Sequence, residues 1–403
     1  MNAAIATKVI NKEIRELNNE NHPSIHWRHF LKKSWASEYT KQGYIRYIDA
    51  FMKYCNFTNP DSLISHDAKL IQLKIVEFID YLRNERQASQ RTLICYYSAL
   101  KKFYETQEVY GLDFPIKWHV ISEHIGASIP RYEDIAYTRE EIVRLLEKAN
   151  QRDRVLILLL AGSLRKGAVH LIKIKDLKPI DEHNIYQLTV YADSPNDKYI
   201  TFTTPELRKE VDSYLAWRRQ LGEIITGNSP LLRTNFNRRN LKTVREQVKP
   251  MTENSVKIVI LQLIKDSGIR EGKTKICGRY DTMGAHGLRK WAVTQMINSG
   301  AEFNAREKLV GHKINGMDKH YDRGIYERML GEFLKCIPNL TINEEERSKL
   351  IIEQLETESK KQQTVFTKAL EEEKERHTDS ITQLSDMMIK MQKRIDELEK
   401  KKN

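Results

Sequence analysis

The stretch AHGLRKWAVTQMINSGAEFNAREKLVGHKINGMDKHYD, residues 285–322, decides how this sequence is interpreted. It contains His286 and Arg289 in an H-x-x-R box, a Gly-His pair that ends at His312, and Tyr321 nine residues beyond that histidine. Each feature alone is more often structural than catalytic. The combination is informative, because imidazoles, a guanidinium and a phenol are parts that a phosphodiester-breaking site needs.

A second arginine, Arg165, ends the segment LAGSLR at residues 160–165. Two planar, permanently charged guanidiniums can clamp the non-bridging oxygens of a phosphodiester, whose transition state spreads negative charge. Arg165 and Arg289 are therefore candidate phosphate ligands. His286 and His312 can add hydrogen bonds and move a proton near neutral pH. This chemistry requires no metal.

Tyr321 is the candidate nucleophile and lies in the basic segment KHYDR at residues 319–323. A phenol is unreactive at neutral pH unless cationic neighbours favour the phenolate. A phosphotyrosine bond would conserve the energy of the phosphodiester for rejoining. Tyr326, five residues further on, is a rival that lacks the nine-residue spacing from His312.

A leaving 5′-hydroxyl needs a proton donor, and Lys198 is the candidate. It follows the turn residues SPND at 194–197, between two β-rich runs that predict a hairpin. A lysine can donate a proton when its surroundings lower its pKa. A solvated turn lysine is the plain alternative. Three other lysines follow the first arginine too closely to lie on a separate hairpin: Lys166, Lys173 and Lys175.

The charge of the chain is unevenly distributed. The 403 residues include 67 Lys+Arg and 55 Asp+Glu, a formal net charge of +12. Residues 341–403 hold 13 basic and 15 acidic residues, so the excess lies entirely in residues 1–340. A basic body favours a polyphosphate partner such as nucleic acid, through counterion release. Solubility alone is the alternative explanation.

Composition excludes several classes of protein. The longest apolar run, Val155–Gly162, is far shorter than the ~20 residues that span a bilayer. The N-terminus shows no signal-peptide pattern. The four cysteines are scattered, which argues against a disulfide scaffold or a zinc site. We therefore expect a cytoplasmic, nucleoid-associated protein without a membrane partner.

The pattern along the chain predicts five regions. They are a polar arm (1–26), a helical domain (27–125), a Gly/Ser/Pro-containing linker (126–134), a second domain (135–340) and a helical tail (341–403). Three amphipathic helices are predicted in the first domain from apolar series at helical spacing: Tyr44, Tyr47/Ile48, Phe51 and Cys55; Leu73, Val76, Ile79 and Leu82; Leu93, Tyr97, Leu100 and Tyr104.

Basic residues on the opposite faces of these helices are candidate DNA contacts. Ordinary solvated faces are the alternative interpretation. The candidates are Lys41, Arg46, Arg91, Lys101 and Lys102, joined by Lys290 in the box segment.

The second domain opens with Thr138 and Glu141 at capping-box spacing. Residues 154–163 (RVLILLLAGS) predict a buried helix, and residues 185–203 predict the hairpin.

The tail is rich in Glu, Lys and Gln and contains no Gly or Pro, which predicts a long helix. Its end has a heptad-like seam, whose register breaks further back at Lys374, Thr367 and Lys360. Self-association through this seam and a single helix packed on the body both remain open. The seam consists of Ile381, Leu384, Met388, Met391, Ile395 and Leu398.

The ordered motif set resembles the tyrosine recombinase (phage-type integrase) family over roughly residues 27–335. The resemblance implies a mainly α fold with a small β-hairpin or sheet in the catalytic domain (α+β). It implies a helical core-binding domain before that domain, and here a long C-terminal helix or coiled coil follows. The set is Arg165, Lys198, His286-x-x-Arg289, Gly311-His312 and Tyr321.

The resemblance also implies a function. In that family the arginines and histidines hold the scissile phosphate, the hairpin lysine protonates the leaving oxygen, and the tyrosine forms a 3′-phosphotyrosyl bond. No metal, ATP or other cofactor is used, and a homotetramer acts on synapsed double-stranded DNA sites. Mapped by motif, these roles fall on Arg165 and Arg289, His286 and His312, Lys198, and Tyr321.

Two departures weaken a finer assignment. Ala168 stands three positions after the first arginine, where the family often has an acidic residue, and Lys290 follows the box arginine. With these differences, the sequence resembles archaeal or mobile-element integrases more than bacterial enzymes that resolve chromosome dimers. Three alternatives remain: a type IB topoisomerase, a non-catalytic DNA-binding architectural protein, and a coiled-coil adaptor.

Overall fold

The computed structural model describes residues 16–19, 21–33, 35, 37–126, 135–274, 280, 284–312 and 324–400. The chain divides into two compact units, Met1–Pro130 and Arg131–Asn403. Within the described ranges, no helix is both long enough and apolar enough to cross a membrane.

The first unit is helical. Serine side chains begin three of its helices, because the Oγ atoms of Ser24, Ser37 and Ser89 accept hydrogen bonds from backbone N–H groups three residues further on. One of these caps and the first two helical residues lie inside the expected polar arm. The helices are α1 (Ile25–Lys32), α2 (Glu38–Tyr54), α3 (Ser62–Ser65), α4 (Ala68–Asn84), α5 (Gln90–Glu108) and α6 (Trp118–Ile125).

An aromatic-rich core holds these helices together. Trp27 lies 5.2 Å from Phe30 and 5.8 Å from Phe103, measured between ring centroids. Its Nε1 donates a hydrogen bond to the carbonyl of Leu17 at 2.6 Å, which satisfies the buried indole.

Two sequence expectations in this unit are wrong. Leu73 is 60% exposed, because it lies two residues from the buried Ile71 and Ile75 and therefore on the opposite face of α4. Lys41 is only 7% exposed and does not lie on the solvated face. It precedes the buried Ile45 by four residues, so its aliphatic stem shares the buried face of α2. The buried apolar residues of α4 are Ile71, Ile75, Phe78, Ile79 and Leu82.

The second unit surrounds one apolar helix. The capping box of Thr138 and Glu141 is present and begins α7 (Arg139–Lys148). In α8 (Gln151–Ala161) every residue except Gln151 and Arg154 is buried, as predicted for this segment. Helix α7 packs against α8, as do α10 (Pro205–Gln220) and α13 (Gly284–Asn298).

A three-stranded antiparallel sheet contains the expected hairpin. Leu188 of β2 (Ile185–Val190) pairs with Thr201 of β3 (Tyr199–Phe202). The same residue pairs on its other side with Leu177 of β1 (Leu177–Ile180), a strand that the sequence did not indicate. Strand β1 is short and contains Pro179, which an edge strand tolerates. The mainly helical fold class with a small sheet is confirmed.

The remaining helices complete the unit. Two of them are very short, and the last follows α15 after only three residues. They are α9 (Lys166–Val169), α11 (Leu241–Arg245), α12 (Glu253–Asp266), α14 (Phe303–Leu309), α15 (Ile325–Leu340) and α16 (Glu344–Lys400).

The predicted tail is helical, and α16 runs for 57 residues. Its start is fixed to the body. The Glu206 carboxylate accepts hydrogen bonds from the backbone N–H groups of Ile342 at 2.7 Å and Asn343 at 3.1 Å. Arg139 donates to the carbonyls of Asn339 and Thr341. From residue 352 to residue 395, every side chain is exposed.

A fully buried ion-pair triad stabilises the loop after α10. The side chains of Arg218, Glu223 and Arg233 have no exposed surface. Both guanidiniums donate to Glu223, and Arg218 also donates to the carbonyls of Pro230 and Leu231, each at 2.9 Å. Two buried cations therefore share one carboxylate as their counter-charge.

Replacing Glu223 with alanine should lower the free energy of unfolding by about 3–5 kcal/mol, because two buried guanidiniums lose their counter-charge. Urea denaturation measures this change. Glu182→Ala is the control, since its side chain is 74% exposed and its loss should change stability by less than about 0.5 kcal/mol. Equal effects of the two substitutions would contradict this account of the triad.

Candidate active site

Two helix ends of the same type frame the site. At the end of α8, Ser163 has φ +80°. The N–H of Leu164 donates to the carbonyl of Leu159 at 3.2 Å, and the N–H of Ser163 donates to that of Leu160 at 3.2 Å. This is a Schellman motif, with a serine in the left-handed position that glycine usually takes. The turn places Arg165 directly before α9.

The end of α14 repeats this arrangement. Gly311 has φ +70°. The N–H of His312 donates to the carbonyl of Glu307 at 2.8 Å, and the N–H of Gly311 donates to that of Lys308 at 2.9 Å. The Gly-His pair is thus a second Schellman motif, in which the glycine supplies the left-handed residue.

Arg289 connects the two helix ends. Its side chain is largely buried, since the residue is 7% exposed. Nη1 donates to the carbonyl of Ser163, and Nη2 donates to that of Val310 at 2.6 Å. Nη2 also lies 3.0 Å from Nε2 of His312. Carbonyls at helix C-termini are suitable partners for a cation.

Arg165 reaches the same loop. Its Nη2 donates to the carbonyl of Gly311 at 2.8 Å, one residue from the carbonyl that Arg289 uses. Burial lowers the pKa of Arg289, and the positive charge of Arg165 lowers it further. A guanidinium nevertheless stays protonated in proteins. Among the residues that the structure describes, no carboxylate forms an ion pair with either arginine, so this site is suited to an anion.

His312 completes the cluster and is about half exposed. Its Nδ1 lies 2.6 Å from Oε2 of Glu307, on the helix that it follows. The structure therefore brings together three predicted residues, Arg165, Arg289 and His312.

The other predicted residues are not brought into contact with this cluster among the residues that the structure describes. His286 is exposed on the first turn of α13, three residues before Arg289 and so on a neighbouring part of the helix surface. Lys198 is exposed immediately before β3, and its N–H donates to the carbonyl of Ser194 at 2.9 Å. Tyr321 lies outside the described residues.

Tyr199 is a site residue that sequence reasoning missed. A Cβ atom placed on Gly311 would approach the Tyr199 ring to 2.5 Å, so the ring requires glycine there. Burial raises the pKa of Tyr199, and the charges of Arg289 and Arg165 oppose this rise. The only sequence signal was its position beside Lys198.

Tyr326, the rival nucleophile, is held by contacts typical of a structural residue. Its hydroxyl donates to Oε1 of Gln187 at 2.9 Å, and its ring lies 5.8 Å from that of Phe202. Burial raises the pKa of the phenol, followed by the charge of Glu327. Both effects disfavour the phenolate.

Two competing lysines are engaged elsewhere. Lys166 pairs with Glu253 at 2.9 Å, and Lys173 pairs with Asp193 at 2.8 Å. The hydrogen bond that Lys173 donates to Asp193 raises the pKa of Lys173, which makes it a poorer proton donor.

The candidate DNA contacts have different environments. Arg46 and Arg91 are exposed, and Arg46 Nε donates to the carbonyl of Gln42 at 3.2 Å. Glu105 lies 4.0 Å from Lys101 and 3.2 Å from Lys102, which partly neutralises both. Lys290, which follows Arg289 in the sequence, is partly buried.

No protein-family model matches the sequence, and no curated protein matches it significantly. Solved structures do. The Tn1549 transposon integrase in complex with circular intermediate DNA is 16% identical, with a TM-score of 0.51 over 76% of this chain and 97% of that one. A lambda integrase tetramer bound to a Holliday junction is 16% identical, with a TM-score of 0.50 over 77% of this chain and 80% of that one.

The chain therefore has the fold of tyrosine recombinases. This confirms the fold that the motif resemblance implied, with a small sheet in a helical second unit and a long helix after it. The fold of this chain is similar to those of the Tn1549 integrase and lambda integrase.

Replacing Gly311 with alanine should destabilise the second unit by about 1–3 kcal/mol, because the left-handed φ and the Tyr199 ring both oppose a Cβ atom. In a Tyr199→Ala background, the same Gly311→Ala substitution should cost less than it does in the wild type, because the clash with the ring is absent. Thermal denaturation measures both variants. Gly331→Ala is the control, since its Cβ meets no atom within 4 Å. A Gly311→Ala protein as stable as wild type would contradict this geometry.

Proposed function

We propose that this protein is a site-specific DNA recombinase that cleaves and rejoins DNA through a 3′-phosphotyrosyl intermediate. The observation that carries the proposal is the convergence of Arg165 and Arg289 on one loop, at the carbonyls of Gly311 and Val310. Two like charges held this close are stabilised by an anion between them. A phosphodiester is the anion whose two non-bridging oxygens suit two guanidiniums.

The proposed reaction assigns each predicted residue a role. The phenolic oxygen of Tyr321 attacks the scissile phosphorus, the P–O5′ bond breaks, and a tyrosine–phosphorus bond forms. Lys198 donates a proton to the leaving O5′, and a histidine takes the proton of the phenol. Attack by a 5′-hydroxyl on the phosphotyrosine reverses these steps and rejoins a strand. No metal, ATP or other cofactor enters the scheme.

The proposed substrate is double-stranded DNA with specific sites, joined in a homotetramer. Support comes from the fold shared with a lambda integrase described as a tetramer on a Holliday junction and with a Tn1549 integrase described in complex with DNA. The basic balance of residues 1–340 also suits DNA. We assign Arg46, Arg91, Lys101, Lys102 and Lys290 as candidate phosphate contacts.

Wild-type protein incubated in EDTA with a pool of nicked duplexes of randomised core sequence should form a covalent adduct on a denaturing gel. Tyr321→Phe should abolish the adduct, because phenylalanine lacks the attacking oxygen. Tyr326→Phe is the matched control and should retain it. An adduct that survives in Tyr321→Phe, or tight DNA binding by wild type without any adduct, would contradict the proposal. The second result would favour an architectural DNA-binding protein.

Recovery of the trapped sequences then separates recombination from a type IB topoisomerase. A recombinase should exchange strands only between two duplexes that carry the recovered site. Relaxation of supercoiled DNA that needs no second site would favour the topoisomerase alternative.

We also infer that α16 associates with α16 of a second copy of this chain. A 57-residue helix is about 85 Å long, and exposed side chains surround it from residue 352 to residue 395. Helices in water depend mainly on packing of an apolar face. The seam provides such a face at a and d positions, and its exposed members range from 49% to 71% of full exposure: Ile381, Leu384, Met388, Met391 and Ile395.

Lysines at two d positions, Leu384→Lys with Met391→Lys, should reduce the oligomer to a smaller species in sedimentation velocity, because the seam becomes charged. Lysines at two b positions, Thr382→Lys with Ile389→Lys, add the same charge outside the seam and should leave the oligomer unchanged. If the d-position variant sediments like wild type, the tail does not mediate self-association.

A further inference from the structure

We propose that Glu307 is a positioning residue that fixes the tautomer and orientation of His312. The proposal deepens the proposed function, since it concerns the same phosphate site, and it rests on that function for its effect on DNA cleavage. Its geometric part stands on the contacts of Glu307, His312 and Arg289 alone.

The Schellman motif brings Glu307 and His312 together. In this motif the backbone bond from the second residue past the C-cap to the third residue from the helix end places their side chains side by side. Here that bond joins the N–H of His312 to the carbonyl of Glu307 at 2.8 Å. An apolar contact usually accompanies the motif. This chain instead has a carboxylate 2.6 Å from an imidazole nitrogen.

The hydrogen-bond partners of His312 define its tautomer. A guanidinium can only donate, so Nε2 of His312 must accept the hydrogen bond from Arg289 Nη2 at 3.0 Å. Nε2 therefore carries no proton, and in the neutral ring Nδ1 must carry it. Nδ1–H then donates to the Glu307 carboxylate at 2.6 Å. Both nitrogens are thus assigned by their partners.

Glu307 is itself held in place. Its side chain is 19% exposed, and its second oxygen, Oε1, lies 3.5 Å from Nε of Arg306. The carboxylate is restrained by its own helix on one side and binds the imidazole on the other. The sequence reasoning did not select this residue, because its partner lies beyond the helix end rather than on the same helical face.

The arrangement has a chemical consequence. With Nδ1–H bound to Glu307, Nε2 faces Arg289. When a phosphodiester engages Arg289, Nε2 can take the proton of the Tyr321 phenol as its oxygen bonds to phosphorus. The imidazolium formed is then neutralised by Glu307. Among the described residues, the charged and titratable groups around the imidazole are Glu307 and Arg306 on α14, Arg289 on α13, Arg165 through the Gly311 carbonyl, and Tyr199 of β3 against Gly311.

Nitrogen-15 NMR of histidine-labelled full-length protein, without DNA, tests the geometry. The His312 signals, assigned by their loss in His312→Ala, should show a single Nδ1–H tautomer in wild type. Glu307→Ala should give a mixture of tautomers, and Glu307→Gln should retain most of the wild-type pattern, because the amide oxygen still accepts. Glu302→Ala is the matched control, since the Glu302 carboxylate lies 3.5 Å from Arg328. Unchanged His312 signals in Glu307→Ala would overturn the proposal.

The rate of adduct formation on the recovered DNA site tests the consequence. Glu307→Ala should slow the reaction by roughly tenfold or more, as loss of general acid–base positioning does, and Glu307→Gln should recover part of this rate. In a His312→Ala background, Glu307→Ala should have no further effect. An equal loss in that background would show a merely structural role. If wild type forms no adduct, the proposed function fails, and the NMR result alone decides the positioning role.

Discussion

The second unit depends on one buried guanidinium. Arg289 donates to Ser163 at the end of α8 and to Val310 at the end of α14, so a single side chain joins two helix ends that are far apart in sequence. Both ends close with Schellman motifs, which leave carbonyls pointing outward for a donor. The same guanidinium contacts His312. The site is therefore assembled by the interaction that holds the helices together.

This arrangement explains why the site is charged. Packing alone would be served by an apolar residue, whereas a buried cation is expensive unless it is well paired. Arg289 is paired with carbonyls and with an imidazole, and Arg165 adds a second positive charge on the same loop. Neutral partners leave the net charge of the pair uncompensated among the described residues. An anion bound between the two arginines would recover the stability lost to this charge, which is the property that the proposed phosphodiester site requires.

Much of the fold was predictable because local patterns and tertiary structure agree. The capping box at Thr138 and the apolar run of α8 each had a single interpretation. The errors arose where side chains have mixed character. Leu73 is apolar yet exposed, and Lys41 is charged yet buried through its stem. Strand β1 was missed because a four-residue strand containing proline has no periodicity to detect.

The site shows the same division. Motif spacing selected the residues that we propose to act directly, whereas Tyr199 and Glu307 contact Gly311 and His312 in ways that only the folded chain reveals. Sequence spacing indicates which residues are neighbours on one helix. The contact of Glu307 with His312 instead crosses a helix end, and the contact of Tyr199 with Gly311 comes from a strand.

The most direct test of the central claim, that the arginine pair holds the scissile phosphate, is single-turnover cleavage of a duplex with a neutral methylphosphonate at the scissile position. Arg165→Ala should slow cleavage of the ordinary phosphodiester by roughly 10²–10³-fold, as loss of one charge-stabilising donor does. On the methylphosphonate, which has lost the oxygen charge that the guanidinium would neutralise, the same variant should be within about tenfold of wild type. An equal defect on both substrates would contradict the claim.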